Sequence, residues 1–512
     1  MAATALVQLW LARHYFGFLT GDDVEVLAAA FRSAFGFEYS PWDVRNLFVP
    51  EVVIAPLLRF ANAVGVVAPA RLIEIASLPF IALNALTIWL VFRLAKKWSE
   101  DDLAAIIAAS LFALHWLPLM FGATVYPRTI AAACIVGAAL LVSTRDSRGA
   151  ALLAGALAGI AFADRFSEIV FLAPMVILSG HGQLRSSAKP SPGFASSPSL
   201  KRVRTLRGWV AAWGWASARP GLAKDGPYID GISSHGDGEG SAPSGAARDR
   251  YGSFVPLRMT LVLIGAAVAI LLTVGAYDWI SWGAPFATVR SFAKLTLVEP
   301  DFSSRVKYQS PWWYLETLPR WCALTMLPLL YAARKRAHLT FVFIPLVALS
   351  LIKHKELRYV QGLVPFLAIA AGIGFATWWR ADKRKLAVAL LAISLIWNLY
   401  GLRYIERKSM PAVMAARMLA EDPLVRTVVL SQIWAYGDRL YFTDRRQIRD
   451  VQTPPRDLAA ALPGADAVSL YESDLTPAIE AQLQAAGFGR KAHFDSGAAR
   501  AVVVYTADHG QR

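Results

Sequence analysis

The stretch FVFIPLVALSLIKHKELRYVQGLVPFLAIAAGIGFATWW, Phe341 to Trp379, sets two uncharged apolar runs around one dense cluster of charge. A chain crosses about 30 Å of hydrocarbon with roughly 20 apolar residues, so each run reads as a span or close to one. The cluster between them holds Lys353, His354, Lys355, Glu356 and Arg358. Charge is costly inside hydrocarbon, so this cluster sits at a membrane boundary.

The rest of the chain extends that reading. Of its 512 residues, 56% are hydrophobic and only 17% charged, with a mean hydropathy of +0.42. An ordinary soluble domain is far less apolar, so the chain reads as a polytopic membrane protein. The net charge of +15 would suggest nucleic acid in a soluble protein. Here the cations fall in short tracts between apolar runs, where they act as topology signals, and no nucleic-acid partner is expected. Cys134 and Cys322 both lie in apolar segments, which leaves no disulfide framework and no thiol-rich metal site to build. The first residues, MAATALVQLWLARHYFGFLT, carry no cleavage-site pattern and read as a short first span.

Apolar segments near spanning length recur at 1–19, 72–95, 103–122, 126–143, 149–163, 167–180, 258–277, 313–333, 338–352, 360–379 and 385–402, giving about eleven transmembrane helices. The basic tracts RLAKKW, STRDSR, RKR and RADKRK then fall on one side, which the positive-inside bias makes cytoplasmic. The KHKELR cluster, the loop from Gly21 to about Ala70, the loop from Tyr277 to Trp312 and the C-terminus face the other way. Four regions are expected: a membrane module at 1–180, a Ser-, Gly- and Pro-rich disordered cytoplasmic insertion at 181–256, a second membrane module at 257–404, and a soluble domain at 405–512. In the last, TVVLSQ, DAVSLY and ARAVVVYT read as strands, while AVMAARMLA and PAIEAQLQAAGF have helical spacing, so a small α/β domain is expected outside the membrane.

Two constellations could carry chemistry. Asp22 and Asp23 follow the first span directly; a carboxylate pair can take a proton from a hydroxyl, one member tuning the other. The plainer alternative is a helix start capped by Asp22 before VEVLAAAFRSAF. His354, Lys355 and Arg358 offer a phosphate three kinds of donor, with Glu356 holding one of the cations in place; a headgroup anchor is the alternative. Arg165, at the outer end of a short span, is either functional or paired with Asp164 or Glu168. Asp278 follows another span, and Trp282, Trp312, Trp313 and Tyr314 suit either sugar stacking or an interfacial aromatic belt.

At this point HKELRY, 354–359, resembles the HKExRF signature of glycosyltransferase family 22, the dolichyl- or polyprenyl-phosphate-mannose-dependent mannosyltransferases of the GT-C superfamily. GDDVEV is similar to that family's acidic start, and FRSAFGFEYSPWDVRN to its aromatic run, which brings in Trp42. Asp278 with WG and then SPWWY is similar to its later pattern. Tyr359 replaces a Phe, Asp23 replaces a Glu, and Ala29 lies near where a further Glu is usual. The resemblance implies a GT-C fold and an inverting, metal- and cofactor-independent transfer of a sugar, mannose first, from a polyprenyl-phosphate donor to a hydroxyl of a glycan or lipid acceptor. It implies Asp22 as general base beside Asp23, His354, Lys355, Arg358 and Arg165 on the donor phosphate, and Trp42, Asp278, Trp312 and Tyr314 near acceptor or sugar. A bacterial-type inner membrane with a periplasmic site is the expected setting. The competing class, a flippase for a lipid-linked sugar, would reuse the same phosphate clamp but needs polar or broken helices at mid-membrane.

Overall fold

The computed structural model describes residues 1–14, 21–42, 46–144, 147–178, 254–294, 308–333, 337–404, 410–431, 437–442, 447–497 and 500–507. The described residues fall almost wholly within one unit, Met1–Gly182 with Pro256–Arg512. The insertion expected at 181–256 lies almost wholly outside the described residues; only its last three, at the start of the helix Phe254–Trp282, fall inside.

Helix dominates that unit. Helix α1 (Ala2–His14) precedes α2 (Gly21–Phe35), and a π-helical turn over Val49–Ile54 feeds α3 (Ala55–Ala63). Then come α4 (Pro69–Ser99), α5 (Asp102–Ala113), α6 (Trp116–Phe121), α7 (Arg128–Thr144) and α8 (Arg148–Asp164). Among the described residues four helices are long and apolar enough to cross a membrane: Pro69–Ser99, Met259–Trp282, Leu357–Arg380 and Arg384–Arg403. The protein is therefore a multi-pass membrane protein built mostly of helix.

Two apolar segments are broken where a single span was expected. Residues 103–122 divide at Leu114 and His115, because the His115 ring caps the next helix by accepting from the Leu117 amide at 3.2 Å. Pro118, early in α6, suits a helix start, where its missing N–H costs nothing. Residues 313–333 divide into Trp313–Glu316, Leu318–Trp321 and Met326–Ala332, with Pro319 at the start of the second.

The helix Val364–Arg380, reading VPFLAIAAGIGFATWWR, is the centre of the bundle. Within its most apolar window 94% of residues are buried, against 22% for Met259–Trp282. Small residues make this possible. Gly372 faces the backbone of Ala104 in α5, and Gly374 the backbone of Leu329, both too close for a side chain. Without a hydrophobic difference between lipid and protein, such close backbone approach is what holds membrane helices together.

The C-terminal residues form a five-stranded sheet of order β2-β1-β3-β5-β4, with β1 Thr427–Ser431, β2 Gln447–Val451, β3 Ala467–Tyr471, β4 Phe488–Phe494 and β5 Val502–Ala507. The three expected strands are the buried central ones. The edges β2 and β4 (QIRDV and FGRKAHF) are parallel and antiparallel additions whose polar residues leave the ladder ends unattractive to another strand. Helices Met410–Glu421 and Pro477–Ala485 match the two helical spacings. One apolar cluster runs from Leu27 and Phe31 of α2 through Leu58 and Ile73 to Val413, Leu419, Tyr441 and Val502. The C-terminal sheet and its helix Met410–Glu421 thus pack on α2, α3 and α4.

Candidate active site

Helix α2 begins at Gly21, which puts Asp22 and Asp23 in its first turn rather than ahead of it. That position is electrostatically favourable for a carboxylate, since the free N–H groups and the helix dipole both present positive charge there. Asp22 Oδ2 is held by two guanidinium groups at once, Arg358 Nη1 at 2.9 Å and Arg165 Nη2 at 3.0 Å. Residues 22, 165 and 358 are remote in sequence, and the fold brings them to one point.

Local backbone places each arginine. Arg165 is extended (φ −147°, ψ 107°) where α8 stops and a 3-10 turn over Phe166–Phe171 begins. Arg358 lies at the start of the 3-10 turn Leu357–Leu363, and the preceding Glu356 is extended (φ −143°, ψ 148°). Glu356 joins Arg358 through Nε and His354 Nε2 at 3.4 Å, so it holds two of the cluster's side chains. The strand-like loop is pinned from the side: Gln309 N donates to Lys353 O at 3.1 Å, and Tyr308 and His354 form an isolated antiparallel bridge.

These groups line a cavity of about 240 Å3. Its wall includes Asp22, Glu25, Trp42, Asp164, Arg165, His354, Glu356 and Arg358. The segment after α2 closes one side through Tyr39, Pro41, Trp42 and Asn46, with Trp42 36% exposed. Acid, cation and aromatic residues named from separate stretches of sequence therefore meet in one space.

Other expected residues stand apart from it. Lys355 is buried, and its Nζ donates to the carbonyls of Gln309 and Ile352. Burial pushes its ammonium below the ordinary lysine range. It secures the loop that carries His354 and Glu356. Asp23 is buried but does not line the cavity. Asp278 is fully buried, with Oδ2 accepting from Thr288 N at 3.0 Å and from the Thr288 hydroxyl, an arrangement that fixes the turn into the helix Ala287–Ala293. Tyr314 is buried behind the cluster, its hydroxyl donating to Glu356 O at 3.4 Å, whereas Trp312 is 67% exposed.

Arg165 takes Asp22 as its partner, and Glu168 goes instead to Arg128. Arg128 is the residue that sequence reasoning missed. It opens α7, lines the cavity, stacks 4.5 Å from the Tyr359 ring and donates to Ser167 Oγ at 3.1 Å. The available signal was an arginine directly ahead of the uncharged run TIAAACIVGAALLV, where a charge needs a partner.

The fold defines a multi-pass membrane protein, and a known glycosyltransferase family matches part of its chain. The resemblance read from HKELRY holds: residues 247–422 match the Alg9-like mannosyltransferase family. Among solved structures, the chain is similar to ArnT from Cupriavidus metallidurans bound to undecaprenyl phosphate. Identity there is 12%, coverage 98% of this chain and 97% of that one, and the TM-score 0.52. The apo state of the same enzyme gives 13% identity, 98% and 96% coverage and a TM-score of 0.50. No curated protein matches the sequence.

Proposed function

We propose that the chain transfers a sugar, mannose first, from a polyprenyl-phosphate donor to an acceptor hydroxyl, with inversion at the anomeric carbon. The observation that carries this reading is the sharing of Asp22 by Arg358 and Arg165 inside one cavity. It puts a proton acceptor within reach of two forks that suit phosphate. The likeness of fold to an enzyme solved with undecaprenyl phosphate supports a lipid phosphate as the group those forks take.

In this reading Asp22 removes the acceptor's hydroxyl proton as the oxygen attacks the sugar from the face opposite the phosphate. The bond to the phosphate oxygen breaks, and the charge that develops there is met by Arg358, Arg165 and His354, fixed in advance by Glu356. Trp42 gives an aromatic wall for a sugar ring, and Asp23, Lys355, Asp278, Trp312 and Tyr314 support from behind or from the rim. The chain comprises a membrane module at 1–180, a cytoplasmic insertion at 181–256, a second membrane module at 257–404 and an outer domain at 405–512. About eleven spans set in a bacterial-type inner membrane, with the cavity and outer domain on the periplasmic side, complete the proposal.

The test is transfer in proteoliposomes given polyprenyl-phosphate mannose and a panel of acceptor glycans and lipids. Labelled product with wild type, abolished by Asp22→Asn and reduced by His354→Ala, is expected. Donor moved intact to the other leaflet with no product would refute the transferase.

A further inference from the structure

Each described arginine that lines the cavity already has an anion. Arg128 pairs with Glu168, Arg165 with Asp22, and Arg358 with both Asp22 and Glu356. The cavity wall itself carries Asp22, Glu25, Asp164 and Glu356 against Arg128, Arg165 and Arg358. Among the described residues, an entering phosphate therefore meets no surplus of positive charge. It binds well only where an internal carboxylate gives up its place.

The pairs are not equally able to yield. Arg128 and Glu168 are each 4% exposed, and separating them would strand two buried charges. Arg165 and Arg358 are more open to the cavity, at 16% and 13%, and one carboxylate oxygen, Asp22 Oδ2, serves both. A phosphate with several acceptor oxygens can take both forks at once and leave no guanidinium without an anion.

We propose that Asp22 is a resident stand-in for the donor phosphate, displaced from Arg358 and Arg165 when the donor binds and thereby released to act as the base. The inference rests on the donor reading above and adds the order of events. While held by two cations, Asp22 is a poor proton acceptor; losing both makes it a better one once donor is in place. An acceptor hydroxyl arriving first is left unactivated, which protects against proton abstraction with nothing to attack. Coupling of this kind is reciprocal, so removing the charge of Asp22 must favour the phosphate.

The experiment is a binding titration on the full-length protein in lipid nanodiscs, with undecaprenyl phosphate as ligand and inorganic phosphate as a second titrant to separate headgroup from tail. Asp22→Asn is expected to bind the lipid phosphate about tenfold more tightly than wild type, while Arg358→Gln binds it more weakly. Should Asp22→Asn fail to fold, Asp22→Ser removes the same anion from Arg358 and Arg165 and is expected to tighten binding in the same direction. Binding to the folded variant that is equal to wild type or weaker overturns the exchange, while leaving the transferase intact. Wild type that binds no lipid phosphate at all overturns the donor reading, and the exchange with it.

Discussion

Arg128, which lines the cavity, forms an ion pair with Glu168, and both side chains are 4% exposed. The pair joins the start of α7 to the turn that follows α8, and Arg128 also faces the ring of Tyr359. It therefore fixes three elements of the site relative to one another without needing to touch a ligand.

Breaking such a pair leaves one charge without its partner. Glu168→Ala is expected to destabilise the protein by roughly 3–5 kcal/mol. Thermal unfolding in detergent should register it as a clear fall in Tm. Replacing both residues with leucine or methionine should recover much of that loss, and an unchanged Tm in Glu168→Ala would show that the pair contributes little.

Arg358 meets Asp22 and Glu356 with different nitrogens, a geometry that one ammonium cannot copy. Arg358→Lys is thus expected to lower kcat/KM by about tenfold or more despite keeping the charge. Steady-state transfer assays with donor varied would reveal it, and wild-type kinetics would show that charge alone suffices.

Asp278 and Thr288 act as one unit in the hydrogen bonds that close the turn between two helices. Asp278→Ala and Thr288→Val should each lower stability, by about 1–2 kcal/mol for the valine, and the double variant should be little worse than Asp278→Ala. A double-variant cycle in unfolding free energy reads this directly. Fully additive losses would separate the two residues.

Beside the C-terminal sheet, burial pushes the Asp438 carboxyl from 3.8 up to about 7, with Asp450 nearby adding to the effect. The folded state therefore favours the protonated acid. Its stabilising share is complete below about pH 4 and is lost as pH rises through about 7. Asp438→Asn is expected to be the more stable form at pH 8 and to lose that advantage by pH 4. Hydrogen exchange of the 437–451 amides, corrected for intrinsic rate, would follow the difference. A gap that is constant with pH would mean that Asp438 titrates normally.

How much of this could be read in advance depended on where charge and apolarity were concentrated. The strands β1, β3 and β5 are short, nearly continuous apolar runs, and central strands must be. The edges QIRDV and FGRKAHF face solvent for much of their length and so carry no such pattern. HKELRY and the Asp22–Asp23 pair were visible because polar residues cluster at membrane boundaries. Arg128 and Glu168, forty residues apart, were each a lone charge whose partner only the fold reveals. For Arg165, nearness in sequence pointed to Asp164 or Glu168, whereas its partner is Asp22, in the first turn of α2. Residues 103–122 have span-like composition throughout, and only the capping role of His115 explains their break.

The apolar cluster linking Leu27 and Phe31 to Val413 and Leu419 gives the C-terminal sheet a mechanical office. It is the ballast under the helix that bears Asp22. A chain ending at Tyr404 would insert its spans yet leave one flank of α2 wet, and the carboxylate would lose its aim before the bundle lost its fold. Anything that grips the C-terminal sheet thereby gains a lever on Asp22.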